Sequence, residues 1–148
     1  MYRHILIATD GSELAHGALV HGLALAKSVG ARVTALTVTG PWAVSDMASR
    51  AELGDKHPVA DYEREEQARA RRILDIAQAK ADETGVACQT LHEADSLPSE
   101  AILRVAEARG CDLIVVSTHA RAGLARIVIG SQSAEVIAGA KVPVLVCR

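Results

Sequence analysis

Leu113-Ile114-Val115-Val116 is an unbroken apolar run that passes directly into Ser117-Thr118-His119-Ala120-Arg121-Ala122-Gly123-Leu124-Ala125-Arg126-Ile127-Val128-Ile129-Gly130-Ser131. A short run that is apolar on both sides of its pleat belongs to a strand covered on both faces. That is the situation of a parallel sheet between two layers of helices. The helix-like residues 132–139 come next, so the intervening stretch leads from the carboxyl end of a buried strand to a helix N-terminus. Open α/β sheets bind ligands at such connections, because free N–H groups and the positive end of the helix dipole point into the crevice. The stretch carries Arg121, Arg126, His119 and several hydroxyls but no carboxylate, so it reads as an anion site, above all for phosphate.

The rest of the chain supports the same architecture. Apolar or β-branched segments recur at residues 3–9, 32–38, 86–92, 112–117 and 142–147, the third more polar and placed near a sheet edge. Between them lie helical segments. Asp10 with Glu13 three residues on is a capping-box pattern, opening a helix that runs to about Val29 and ends at Gly30. Leu14, Ala18 and Leu25 are its sheet-facing residues. Residues 61–84 form a long charged helix with a narrow stripe of Ile73, Ile76, Ala77 and Lys80, ended by Gly85. Pro98 marks the first turn of a helix to Arg109, capped nearby by Ser96 and ended by Gly110. Residues 39–60, with Pro41, Gly54, Pro58 and the single tryptophan Trp42, read as a long loop. Trp42 either lies over the crevice as a lid or anchors that loop. Strands alternating with helices imply a doubly wound parallel sheet with right-handed crossovers.

Length and composition fit one domain spanning residues 1–148 with a substantial core. The aromatic share is 2%, with no Phe, so the core is built from Val, Ile, Leu and Ala. The same scarcity argues against single-stranded nucleic acid, which is bound on aromatic platforms. A net charge of −2 without a basic run argues against duplex and membrane surfaces. Met1-Tyr2-Arg3-His4 enters a strand at once and is not a signal peptide, and no apolar run reaches membrane-spanning length. Cys88, Cys111 and Cys147 lack C-x-x-C spacing and read as reduced, mostly buried thiols of a cytoplasmic protein. His16 and His21 are five apart rather than the i, i+4 of a helical metal pair, and no metal site is expected.

Neither standard phosphate signature is present. There is no G-x-x-x-x-G-K-[ST], and the first strand is followed by Thr9-Asp10-Gly11-Ser12 instead of G-x-G-x-x-G. What remains is Asp10 after the first strand and the basic stretch after the fourth, two loops that flank one crevice in a doubly wound sheet.

Taken together, Ile5-Leu6-Ile7-Ala8-Thr9-Asp10-Gly11-Ser12, Cys111 to His119, Gly123-Leu124, Ile129-Gly130-Ser131 and Val142-Pro143-Val144-Leu145-Val146 resemble the universal stress protein family over essentially the whole chain. The resemblance implies an adenine nucleotide alpha hydrolase-like fold, an open five-stranded parallel sheet of order 3-2-1-4-5 with helices on both faces. Many members bind ATP through G-x-x-G, nine intervening residues, then G-[ST]. In this chain Ser117 and Ala120 stand at the two leading glycine positions, while Gly130-Ser131 match. If Ala120 occupies the left-handed region, its Cβ costs about 1 kcal/mol, which weakens binding without abolishing it.

By resemblance, Asp10 contacts the nucleoside or its accompanying Mg2+, and Val38 flanks the adenine. Ser117, Ala120, Gly130, Ser131 and Ser133 surround the phosphates, with His119 and Arg121 close to the anion. The resemblance also implies a homodimer paired through the last strand, residues 143–147, an apolar edge in that order.

Each residue also has a purely structural reading. Asp10 and Ser12 serve as helix caps with or without a ligand. Gly130 is a turn residue and Ser131 an N-cap, and Arg126 is a solvated loop charge. No nucleophile–base–orienter set is apparent, although Asp10, His119 and Ser131 could converge. The leading reading is therefore an ATP-binding stress or signalling module, with slow or no hydrolysis and protein partners the residues do not identify. The alternative is a nucleotide-independent dimeric interaction protein, favoured by Ser117 and Ala120. A small hydrolase or nucleotidyl transferase rests on fold analogy alone.

Overall fold

The computed structural model describes residues 1–118 and 130–148. Strand β1 (His4–Ala8) is followed by α1 (Glu13–Val29), β2 (Arg32–Val38), α2 (Val44–Glu52) and α3 (Pro58–Thr84). Then come β3 (Cys88–Glu93), α4 (Pro98–Arg109), β4 (Leu113–Ser117), α5 (Ser131–Gly139) and β5 (Val144–Cys147). The strands form one sheet of order β3-β2-β1-β4-β5, every pair parallel, as expected. In β1 and β4, Ile5 pairs with Leu113 and Ile7 with Val115.

The alternation of side chains along these central strands divides the core in two. Ile5, Ile7, Leu113 and Val115 pack on one face with Leu19 and Leu23 of α1 and Leu74 and Ala77 of α3. Leu6, Ile114 and Val116 pack on the other with Ile102 and Val105 of α4 and Val136 of α5. The long apolar run of β4 is thus buried on both faces, which is why it lacks polar alternation. Helix α1 lies unusually close to β1, since a Cβ on Gly22 would stand 2.6 Å from Ile7 Cδ1.

Several local expectations are corrected. The buried stripe of α1 is Ala15, Ala18, Leu19, Gly22, Leu23 and Ala26, with Leu14 and Leu25 only half-buried. In α3 the sheet takes Ala70, Leu74, Ala77 and Ala81, and Ile76 is 58% exposed. Helix α3 begins at Pro58, and residues 44–52, expected as loop, form α2, which buries only Met47. Ser12, not Asp10, caps α1: its Oγ accepts from Ala15 N at 3.2 Å. Ser96 caps nothing, because its Oγ donates to Ala94 O and the N-cap of α4 is Leu97. Gly130 is the N-cap of α5, so Ser131 is its first helical residue.

The amino ends of the strands are closed by a polar network. Asp112 Oδ2 and Oδ1 accept from Arg3 N at 2.9 Å and His4 N at 3.0 Å. Desolvation would raise the Asp112 carboxyl, but these backbone N–H groups hold it below the usual carboxylate range. The His4 ring spans Arg109 O at 3.1 Å and Thr34 Oγ1 at 2.8 Å. A carbonyl only accepts, so Nδ1 carries the proton and Nε2 accepts from the buried Thr34 hydroxyl. Burial, reinforced by Arg32, lowers the His4 pKa and keeps the ring neutral.

Candidate functional site

At the opposite, carboxyl end of the sheet, β1 and β4 lead their connections to opposite faces. β1 continues into α1 on one side, and β4 leads toward α5 on the other. The strand order reverses here, and a crevice of about 130 Å³ opens. Its floor is apolar: Ala8, Leu36, Val38, Ile102, Val116 and Val136. Its polar groups are Thr9, Asp10, Ser117, Gln132 and Ser133. An apolar slot with a few convergent polar groups suits a flat heterocycle carrying a polar substituent.

Each polar group is held by the local chain. Asp10 Oδ1 accepts from Ser12 N at 2.9 Å, and Thr9 Oγ1 from Gly11 N at 3.3 Å, so the β1–α1 turn is tied by its own side chains. Gly11 turns the chain with φ +78°, and a Cβ there would stand 2.8 Å from Ile73 Cγ1. The turn is thereby pressed against α3, and Arg69 of α3 donates to Asp10 O at 3.4 Å.

Across the crevice, Ser133 Oγ donates to Ser117 O at 3.0 Å, fixing α5 on the end of β4. Ser99 N donates to Gln132 Oε1 at 3.0 Å, which orients the Gln132 amide and identifies its oxygen. Ser99 Oγ donates to Glu135, so α4 and α5 are joined by side chains from both. Gly130 has φ −57° and ψ 152°, a conformation open to any residue, and no side chain among the described residues caps α5. The first N–H groups of a helix have no intrahelical partner, so the start of α5 offers donors and positive dipole charge.

The structure therefore brings Asp10, Val38, Ser117 and Ser133 to one crevice, with Gly130 and Ser131 opening the helix beside it. His119, Ala120, Arg121 and Arg126 lie outside the described residues. Sequence reasoning missed Ala8, Thr9, Leu36, Pro98, Ile102, Val116, Gln132 and Val136. Most of these occupy strand ends or the first turns of α4 and α5, a positional signal that was present in the element order. Trp42 is no lid on this crevice; it lines a separate cavity on the α3 side. The three thiols are free, and burial raises all of them, Cys111 to about 11, so none is a ready nucleophile. No helix among the described residues is long and apolar enough to cross a membrane.

The model of the universal stress protein family matches residues 1–148. A universal stress protein of Methanocaldococcus jannaschii is 33% identical over the whole of this chain and 83% of its own length. The universal stress protein YxiE of Bacillus subtilis is 33% identical over the full length of both. Among solved structures, the hypothetical protein MJ0577 superposes with a TM-score of 0.78 at 26% identity, covering 99% of this chain and 96% of that one. A universal stress protein in complex with cAMP gives 0.72 at 21% identity, covering 99% and 97%. One from Archaeoglobus fulgidus in complex with dAMP gives 0.70 at 18%, covering 99% and 98%. The last two establish likeness of fold.

Proposed function

Because the chain belongs to the universal stress protein family, we propose that it is a single-domain module that binds an adenine nucleotide, ATP with its Mg2+, in the crevice at the carboxyl ends of β1, β2 and β4. The observation that carries this reading is the pairing of an apolar floor with the N-terminus of α5, which no side chain among the described residues caps. The adenine lies against Val38, Leu36 and Val116, and the phosphates lie toward Gly130, Ser131 and Ser133. Asp10, at the mouth, faces the nucleoside or the cation on its phosphates. Ser117, Ala120, His119 and Arg121 complete the phosphate end. Two relatives of the same fold were solved with cAMP and dAMP, which supports an adenine ligand.

Binding, rather than turnover, is the output: hydrolysis is slow or absent, and the bound state is read by protein partners. The module works in the cytoplasm, a reading its three unpaired thiols support. It acts as a homodimer joined through residues 143–147, supported by β5 being an edge strand whose residues are only half-buried. A monomeric mass at micromolar concentration by ultracentrifugation contradicts the dimer.

Calorimetry with ATP and magnesium tests the binding reading, on the wild type and on Gly130→Asp. Aspartate is a good N-cap, so the variant keeps α5, while its carboxylate repels phosphate at the helix start. Wild-type heat that is lost in the variant supports the nucleotide module. No heat from the wild type at millimolar ATP supports the nucleotide-independent interaction protein instead.

A further inference from the structure

The larger opening near the carboxyl end of the sheet is not the crevice. A cavity of about 290 Å³ lies on the α3 side, between the segment after β2 and the segment after β3. Its functional lining is Trp42, Tyr62, Glu63, Glu66, His92 and Asp95. Both of the aromatic rings that come after β1 in the chain, in a protein whose aromatic share is 2%, are gathered here. Three carboxylates accompany them, and no Lys or Arg among the described residues lines the space.

The surrounding hydrogen bonds hold this arrangement open. Tyr62 Oη donates to Gly40 O at 3.3 Å, and Thr39 Oγ1 and His92 Nε2 are 2.8 Å apart, so the phenol and the imidazole are each tied to the segment after β2. Thr39 N donates to Glu93 O and Ser96 N to Thr39 O, which ties the two segments together. The neighbouring cations are already engaged. Arg50 pairs with Glu65 at 2.8 Å and stands 5.6 Å from the Tyr62 ring centroid, and Arg69 pairs with Glu66 at 3.4 Å. Glu63 and Asp95 are in no ion pair among the described residues.

Aromatic faces beside carboxylates attract a cation with an apolar body, and the carboxylates reject an anion. The carboxylates are too dispersed for one metal ion: no group of three His, Cys, Asp or Glu among the described residues converges closely enough to hold one. We propose that this cavity is a second ligand site, which takes a small organic ammonium ion with its charge toward Glu63 and Asp95 and its alkyl groups on Trp42 and Tyr62. The site lies on the face of the sheet opposite α4 and α5, and it stands whether or not a nucleotide occupies the crevice.

Trp42 is the only tryptophan, so its emission reports on the cavity directly. The test titrates the full chain with choline chloride at constant ionic strength, beside 3,3-dimethylbutan-1-ol, the uncharged isostere. The expected result is a saturable change in emission with choline and none with the alcohol. Glu63→Gln and Asp95→Asn each weaken choline binding, by about fivefold for a partly exposed charge. Asn, like Asp, tolerates the positive φ of 52° at position 95, and neither wild-type side chain is in an ion pair, so both variants keep the fold. A response that fails to saturate, that the alcohol reproduces, or that ignores both substitutions overturns the proposal.

Discussion

The two ends of the sheet are built to opposite specifications. At the amino end, Asp112 clasps the N–H groups of Arg3 and His4, and His4 bridges Arg109 and Thr34. These side chains are spent on the protein's own backbone and on one another. At the carboxyl end, Ser133, Gln132 and the Asp10 turn are also held, yet they surround a crevice instead of filling it. The same kinds of residue, a carboxylate and hydroxyls at strand ends, thus serve cohesion at one end and reception at the other. The difference lies in the path of the chain beyond each strand. At the carboxyl end, chain reversals to opposite faces leave a crevice between the loops after β1 and β4, whereas the cavity at the amino end lies beside the network, between the ends of α4 and α5.

That contrast predicts separable effects of substitution. The largest is expected from Asp112→Ala, which strips two backbone N–H groups of a charged acceptor. Stability should fall by about 2–3 kcal/mol, read by chemical denaturation, with adenine-nucleotide affinity unchanged. A parallel loss of affinity would dissolve the distinction between the two ends. Gly11→Ala comes next. It places a Cβ at φ +78° against Ile73, costing about 1–2 kcal/mol, and because it displaces Asp10 it should weaken nucleotide binding as well. Ser133→Ala removes the hydroxyl that holds α5 on Ser117 O and should cost about 1 kcal/mol of stability. Its larger signature is weaker nucleotide binding by titration, the reverse of Asp112→Ala.

The smallest effect is in pH. His4 has a folded-state pKa below its ordinary 6.5, so the native state binds its proton less readily than the unfolded chain does. Its contribution is fully present above that value and is lost as pH falls through the lowered folded pKa. Asp112, also lowered, keeps its contribution above its ordinary 3.8 and loses it in stronger acid. Melting temperature should therefore drop from about pH 7 to pH 5 in the wild type and drop less in His4→Gln. An equal slope in both would show that His4 does not carry the pH dependence.

The architecture was legible because it is written in periodicity. The apolar runs of β1 and β4, the glycines at 30, 85 and 110 and the alternation of segments sufficed for strand order once the family resemblance was drawn. Helix α2 was not legible. It lies between Pro41 and Gly54, buries only Met47, and is braced by the Arg50–Glu65 pair to α3, a partner remote in sequence. The cap of α1 was ambiguous for a local reason. Asp10 and Ser12 both suit the position, and the chain uses Ser12 for the helix and Asp10 for the preceding turn. At the crevice, Asp10, Ser117 and Ser133 announced themselves, whereas Thr9 and Gln132 carried no motif, and Leu36, Ile102 and Val136 look like any core residue until the fold sets them at its edge.

The central claim, that adenine nucleotide enters at the carboxyl end and nowhere else, is tested most directly by backbone amide chemical-shift mapping with ATP and magnesium. Saturable shifts are expected at Thr9, Val38, Ser117, Gln132 and Ser133, with Arg3, His4 and Asp112 unmoved. Shifts centred on the amino end or on the Trp42 cavity, or no saturable shifts at all, would contradict it.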